Sequence, residues 1–247
     1  MKKEIQILRK KFKEYSIDGY VIPKNYEYFT EYSKINRLKI ISNFSGSAGL
    51  AVILKDKNFL FTDGRYTIQS EMESGKYFKI INFEKIINCK LFKNLELGLD
   101  PKLFTHEQIK KYFLKNNKVK FLSNNLIDEI KIQKVSNNIP FFSLKDEIIG
   151  ENSKSKINKI INYLKKNNAD NLFITAPENV AWILNIRGWD GPNSPIPNCR
   201  LIINKSKKVF LITEPQKAQK LIKEKIINKN QLVATCDLPK KILVLSG

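Results

Sequence analysis

Histidine is nearly absent from this chain. Its 247 residues hold one, His106, which excludes most chemistries that need several imidazoles around one point. A two-metal hydrolytic centre needs several converging ligands and an open position for water, and one isolated histidine cannot supply it. The stretch Phe104-Thr105-His106-Glu107-Gln108 instead reads as a helix start, with Thr105 as cap and Gln108 as its capping-box partner. Cysteine is scarce as well. Cys89, Cys199 and Cys236 are widely spaced and odd in number, which fits neither a disulfide framework nor zinc-ligand spacing. Free buried thiols in a reducing, cytoplasmic compartment are the expectation. No apolar run approaches the roughly 20 residues of a membrane span. Met1-Lys2-Lys3-Glu4 opens a charged, amphipathic stretch without the apolar core of a signal peptide.

Acidic residues are also few, 24 against 44 basic ones, for a net charge of +20. Such a balance ordinarily points to nucleic acid, because lysine and arginine that neutralise phosphates supply most non-specific affinity. Here the excess is almost all lysine: 39 Lys and 5 Arg, beside 34 Ile and 26 Asn. That joint skew reads as a coding bias toward A and T, so no specific nucleic acid is expected. Arginine then becomes informative where it survives. A planar, bidentate guanidinium does what lysine cannot, so Arg37, Arg65 and Arg187 are expected to have fixed partners.

What the chain does have is a distinctive run over 42–66, S-N-F-S-G-S-A-G-L-A-V-I-L-K-D-K-N-F-L-F-T-D-G-R-Y. Ser45 to Gly49 cannot fill a core; small residues there permit close approach and unusual backbone angles. Leu50 to Leu54 reads as a buried strand, Lys55 to Asn58 as a polar break of hairpin length, and Phe59 to Thr62 as the returning strand. Asp63 is suited to cap the turn that follows, which places Arg65 at a strand-to-helix junction.

Elsewhere Ile5, Leu8 and Phe12 recur at helical spacing, and Asp18 to Pro23 reads as a short strand. Helical stretches near 67–74, 84–93 and 105–116 alternate with strands near 78–82, 95–99 and 118–122, the pattern of an α/β sandwich. Asn137 to Gly150 reads as a passage between domains. A second series follows: a helix from Ser153 or Ser155 through Lys166, a strand over 172–175, and a helix with Pro177 in its first turn, ending near Gly188. A hairpin over 200–204 and 209–213 and a basic helix near 215–229 complete it. Two domains, 1–145 and 146–247, are expected.

The segment N-F-S-G-S-A-G followed by F-T-D-G-R-Y resembles the N-terminal domain of the Xaa-Pro aminopeptidases (aminopeptidase P), in the creatinase and prolidase group. Ala181-Trp182-Ile183-Leu184-Asn185-Ile186-Arg187-Gly188, with Asp190, Pro192 and Pro195, resembles the middle domain of the three-domain form. Weaker agreement runs through Gly19 to Pro23, Glu31-Tyr32, Arg37 and Gly98 to Phe104. The resemblance implies an α/β fold of two tandem creatinase N-terminal-like, ribonuclease H-like domains, each a mixed sheet flanked by helices. It also implies that hydrolysis belongs to a third domain, whose Asp, His and Glu residues hold two divalent metal ions, manganese or zinc. That ligand set is not in this chain, so no catalytic or metal-ligating residue is assigned here.

The resemblance makes Arg65 a residue that reaches the active-site cleft and helps hold the bound peptide; the alternative is an ion pair with Asp63 or a neighbouring carboxylate. Asp63, Arg187 and Asp190 are candidates either for facing the cleft or for scaffold roles, Asp190 by pairing with Arg187. The expected function is the non-catalytic portion of an Xaa-Pro aminopeptidase-like metallopeptidase. Its partners would be proline-containing peptides, met through a catalytic domain, with a separately encoded catalytic domain as one alternative. The alternatives are a remnant of a split or decayed gene and a stand-alone basic binding module.

Overall fold

The computed structural model describes residues 2–29, 35–87, 89–131, 139–145 and 147–246. The chain divides into two compact units, Met1–Val135 and Ser136–Gly247.

In the first unit, α1 (Lys3–Glu14) buries Ile5, Leu8 and Phe12, the three residues at helical spacing. β1 (Gly19–Pro23) is buried along its whole length. After α2 (Arg37–Ser42) comes the hairpin of β2 (Gly49–Leu54) and β3 (Asn58–Thr62), closed where the Leu54 N–H donates to the Lys57 carbonyl at 2.8 Å. α3 (Thr67–Ser74), β4 (Lys79–Asn82) and β5 (Glu96–Leu99) follow. The short α4 (His106–Ile109) opens with the Thr105–Gln108 capping box and runs on as a π-helical turn over Lys110–Leu114. β6 (Lys118–Phe121) and α5 (Leu126–Ile130) end the unit.

The six strands lie in the order β4-β3-β2-β1-β5-β6. β2 is antiparallel to both of its neighbours, and the other pairings are parallel. Strand periodicity sorts the side chains onto two covered faces. Tyr20, Ile22, Ala51, Ile53 and Leu60 join the core made with α1, α2 and α5. Val21, Leu50, Val52, Phe59 and Phe61 join the opposite core with Leu103, Ile109 and Phe113. The pairing directions put the carboxyl ends of β1, β3, β4, β5 and β6 on one edge of the sheet, where β2 begins.

The second unit comprises β7 (Phe142–Ser143), α6 (Ser153–Lys166), β8 (Asn171–Ile174), α7 (Pro177–Leu184) and β9 (Ile186–Arg187). β10 (Arg200–Asn204), β11 (Val209–Ile212), α8 (Pro215–Lys223), β12 (Leu232–Val233) and α9 (Leu238–Ser246) complete it. Its main sheet is ordered β12-β11-β10-β8, and β7 pairs with β9 apart from it. One core, built on Phe141, Ile161, Leu164, Ile183, Leu201 and Leu211, holds the unit together.

Both units are therefore mixed sheets flanked by helices. Four local expectations need correction. The helix expected over 84–93 is a single 3₁₀ turn, Phe83–Ile86, and residues 89–93 form no helix. The helix expected to end near Gly188 stops at Leu184, because Asn185 turns left-handed at φ 54°. The helix expected over 215–229 stops at Lys223, and Lys225 takes φ 57°. Phe141, read as part of a passage between domains, is fully buried in the second unit's core.

Candidate functional site

The turn after β3 is built by Asp63. Its carboxylate accepts the Arg65 N–H at 2.9 Å and, from the Arg65 side chain, Nε–H at 3.1 Å and a terminal N–H at 2.7 Å. The pair is a two-pronged fork as well as a cap, and the Arg65 hydrogen bond holds the Asp63 carboxyl below its ordinary pKa. The Arg65 side chain stays 72% exposed while Asp63 is 34% exposed. Its guanidinium lies 5.3 Å from the centre of the Tyr66 ring.

Tyr66 is fixed in turn. Its hydroxyl shares a 2.7 Å hydrogen bond with the Ser47 hydroxyl, and its ring meets Phe44 edge-on with centroids 5.6 Å apart. Gly46 and Gly49 are there for space. A Cβ on Gly46 would come within 2.3 Å of the Phe44 ring, and one on Gly49 within 3.0 Å of Leu38 and Phe44. None of the described glycines has positive φ, so the unusual backbone angles expected of them are not used. Glu73 on α3 ties the same loop down by accepting the Ser45 N–H and hydroxyl, each at 2.7 Å. Burial works against the Glu73 charge, but the Ser45 and Gln69 donors outweigh it and keep the carboxyl below its usual range. A groove of about 670 Å³ beside this turn is lined by Asp63, Gly64, Ile68, Met72 and Ile80.

Arg37 and the second-unit candidates have different surroundings. Arg37, 5% exposed, forks onto Asp128 at 2.9 and 2.7 Å and reaches Glu27 at 3.0 Å. Arg187 donates from one terminal nitrogen to the carbonyls of Ala181 and Ile186, at 3.2 and 2.9 Å. Asp190, 7% exposed, accepts the Asn198 N–H at 2.6 Å and pairs with Lys217. No ion pair joins it to Arg187, contrary to expectation; the loop from Trp189 to Asn198 is closed by Asp190 on its own backbone and onto α8.

His106 is exposed at its helix start. Cys89 and Cys199 are buried, with burial raising both thiol pKa values, whereas Cys236 is exposed rather than buried as expected. Among the described residues, no group of three or more His, Cys, Asp or Glu could hold a metal ion. The described residues do not fit a metal centre. The Ser47–Tyr66 and Ser45–Glu73 braces escaped sequence reading, because each joins residues 19 to 28 apart through side chains that look like ordinary surface polars.

A family model described as Creatinase/Prolidase N-terminal domain matches residues 5–130, and a second model of the same description matches 133–241. Xaa-Pro aminopeptidase 1 of Dictyostelium discoideum is 32% identical over 235 residues, covering 86% of this chain and 38% of that protein. Aminopeptidase P2 of Arabidopsis thaliana is 31% identical over 221 residues, covering 81% of this chain and 31% of that protein. The chain thus spans about a third of the length of the curated relatives it matches. Among solved structures, X-prolyl aminopeptidase from Caenorhabditis elegans, described as a cytosolic enzyme with a di-nuclear active site, matches with a TM-score of 0.84. The match covers 97% of this chain and 43% of that one at 22% identity, a likeness of fold.

Proposed function

The chain belongs to the creatinase/prolidase N-terminal domain family and corresponds to the N-terminal portion of Xaa-Pro aminopeptidase-like proteins, and we propose that its part there is non-catalytic. These residues restrict which peptides reach a metallopeptidase domain and help hold them there. The metal ions and the water they activate belong to that domain, in the same protein or a separate one. Removal of an N-terminal residue that precedes proline is the activity served.

The observation that carries this reading is the Arg65 fork. Asp63 fixes the guanidinium's stem and orientation, yet leaves the side chain 72% exposed at the carboxyl edge of the sheet. A guanidinium held in one orientation has the donor geometry that suits peptide carbonyl or carboxylate oxygens.

The test joins this chain to, or mixes it with, a compatible metallopeptidase domain. Arg65→Ala is expected to cost roughly 1.5–3 kcal/mol, about 10- to 100-fold in kcat/KM, with Arg65→Lys a partial rescue. Thermal stability of the chain should be nearly unchanged, since exposed pairs contribute little. Lost stability with unaltered kcat/KM would reduce Arg65 to scaffold. A control follows from the ligand set: supplied with manganese or zinc, the 247-residue chain by itself should release no N-terminal residue from an Xaa-Pro peptide. Metal-dependent release after rigorous removal of contaminating peptidases would contradict it.

A further inference from the structure

The six-stranded sheet of the first unit ends at β4, which pairs with β3 on one side and, among the described residues, with no strand on the other. An open groove flanks this edge on each face. Ile80 packs against the core made with α1, α2 and α5, the face on which the Ser74 hydroxyl ties α3 to the Ser42 carbonyl at 2.9 Å. Ile81 belongs to the opposite core, with Cys89. The groove of about 670 Å³ already described lies on the α3 side, and a second, of about 640 Å³, lies on the Cys89 side. Both reach Ile80, Ile81 and Asn82.

The two grooves differ in chemistry. α3 presents Ile68 and Met72 one turn apart, 79% and 82% exposed, and the groove they line holds Asp63 and Glu71 but no lysine or arginine, in a chain with 44 basic residues. The other groove is basic. Its lining includes Lys79, Lys85 and Lys90 against Glu84, and all three lysines are exposed, with no ion pair among the described residues. A flexible lysine stem lets each ammonium follow an acid that enters the groove. Lys79 is the kind of charge that guards an edge strand, yet it leaves Ile68 and Met72 uncovered.

A strand added to a sheet edge pairs through its backbone and sends alternate side chains to opposite faces. On β4 one set meets Ile68, Met72 and Ile80, and the other meets the lysines. A second copy of the chain does not match this edge. Paired antiparallel with its own equivalent about a two-fold, β4 would bring each groove against the same groove, lysines to lysines. We infer that β4 takes an added strand from a partner protein, an extended segment whose side chains alternate between apolar and acidic.

The test titrates the 247-residue chain with an end-blocked hexapeptide that alternates valine and glutamate, read by calorimetry and by hydrogen exchange of backbone amides. Binding should slow exchange along Lys79–Asn82. A hexapeptide of the same composition with its valines and glutamates in two blocks, and one alternating valine and lysine, should bind at least about tenfold more weakly, as expected when charge-assisted contacts or the apolar fit are lost. Met72→Lys, at a position too exposed to disturb folding, should weaken the alternating acidic peptide to a similar extent. Lys85→Glu combined with Lys90→Glu should turn the preference from glutamate to lysine. Equal binding of alternating and block peptides, unchanged exchange at β4, or no binding of the alternating acidic peptide overturns the assignment. A free Ala-Pro added at the peptide's N-terminus should make no difference; a requirement for it would give the edge to peptide substrates and overturn the partner protein. Sedimentation should show a monomer, and self-association abolished by Met72→Lys would give the edge to a second copy, overturning it likewise.

Discussion

Two of the arginines, Arg37 and Arg65, sit where a fork is made. Arg37 and Arg65 each engage a carboxylate through Nε and a terminal nitrogen, a geometry that a lysine point charge lacks. Their energetic roles differ with burial. Arg37 is 5% exposed and ties α2 to α5 through Asp128, so its loss removes the fork on Asp128 and one contact of Glu27. Those carboxylates are 42% and 31% exposed and can rehydrate, which keeps the cost below that of a fully buried pair. Arg37→Ala is expected to destabilise by about 1–3 kcal/mol in urea denaturation, with Arg37→Lys intermediate. A double-mutant cycle with Asp128→Ala should give a clear coupling energy; additive effects would mean the fork contributes nothing beyond its parts. The arginine pattern was legible from composition alone. Asp128, the partner, was not, because it lies 91 residues away in sequence.

Elements long enough to show a period were legible: α1, the β2–β3 hairpin and α6 fall where hydrophobic spacing places them. Their ends were harder, and the reason lies in the left-handed positions. Ser16, Phe29, Asn43, Asn94, Asn168, Asn185, Lys207 and Lys225 have positive φ, and no described glycine does. The usual glycine stop signal is missing, and asparagine takes its place after α2, α6 and α7 in a chain where asparagine is too common to read as punctuation. The false helix over 84–93 has a related cause, since Ile86, Cys89 and Phe92 are buried at three-residue spacing although residues 89–93 form no helix. Asn168, at φ 52° just past α6, tests the point. Asn168→Gly should be neutral or slightly stabilising, while Asn168→Ala should cost about 1–2 kcal/mol by chemical denaturation. Equal effects of the two would show that the backbone angle is not what the position demands.

At the scale of the molecule, charge and topology set the behaviour. Asp18, Asp63, Glu73, Glu129 and Glu151 all have carboxyl pKa values below the ordinary range; for Asp18 the Glu96 N–H and then Lys55 are the cause. Groups whose pKa falls on folding bind fewer protons folded than unfolded, so their stabilisation is full above about pH 4–5 and is lost as pH drops through the folded values. The net charge of +20 adds self-repulsion that grows in acid. The melting temperature should therefore be level from about pH 8 to 5 and fall steeply below 4. Asp18→Asn should flatten part of that fall, and an unchanged acid limb would show that its contacts with Glu96 and Lys55 do not matter to folding.

The central position of β1 also governs how the first unit can form on the ribosome. One neighbour, β2, is local, but the other, β5, brings Leu97 against Gly19. At roughly 5–20 residues per second, β1 emerges about 4–16 s before its second neighbour exists. Once β3 is out, and until β5 follows, the β1–β2–β3 meander has an open, apolar edge in the middle of the future sheet, the kind of edge that invites wrong pairing. Synthesis speed across residues 24–96 is therefore a property on which the yield of folded protein depends.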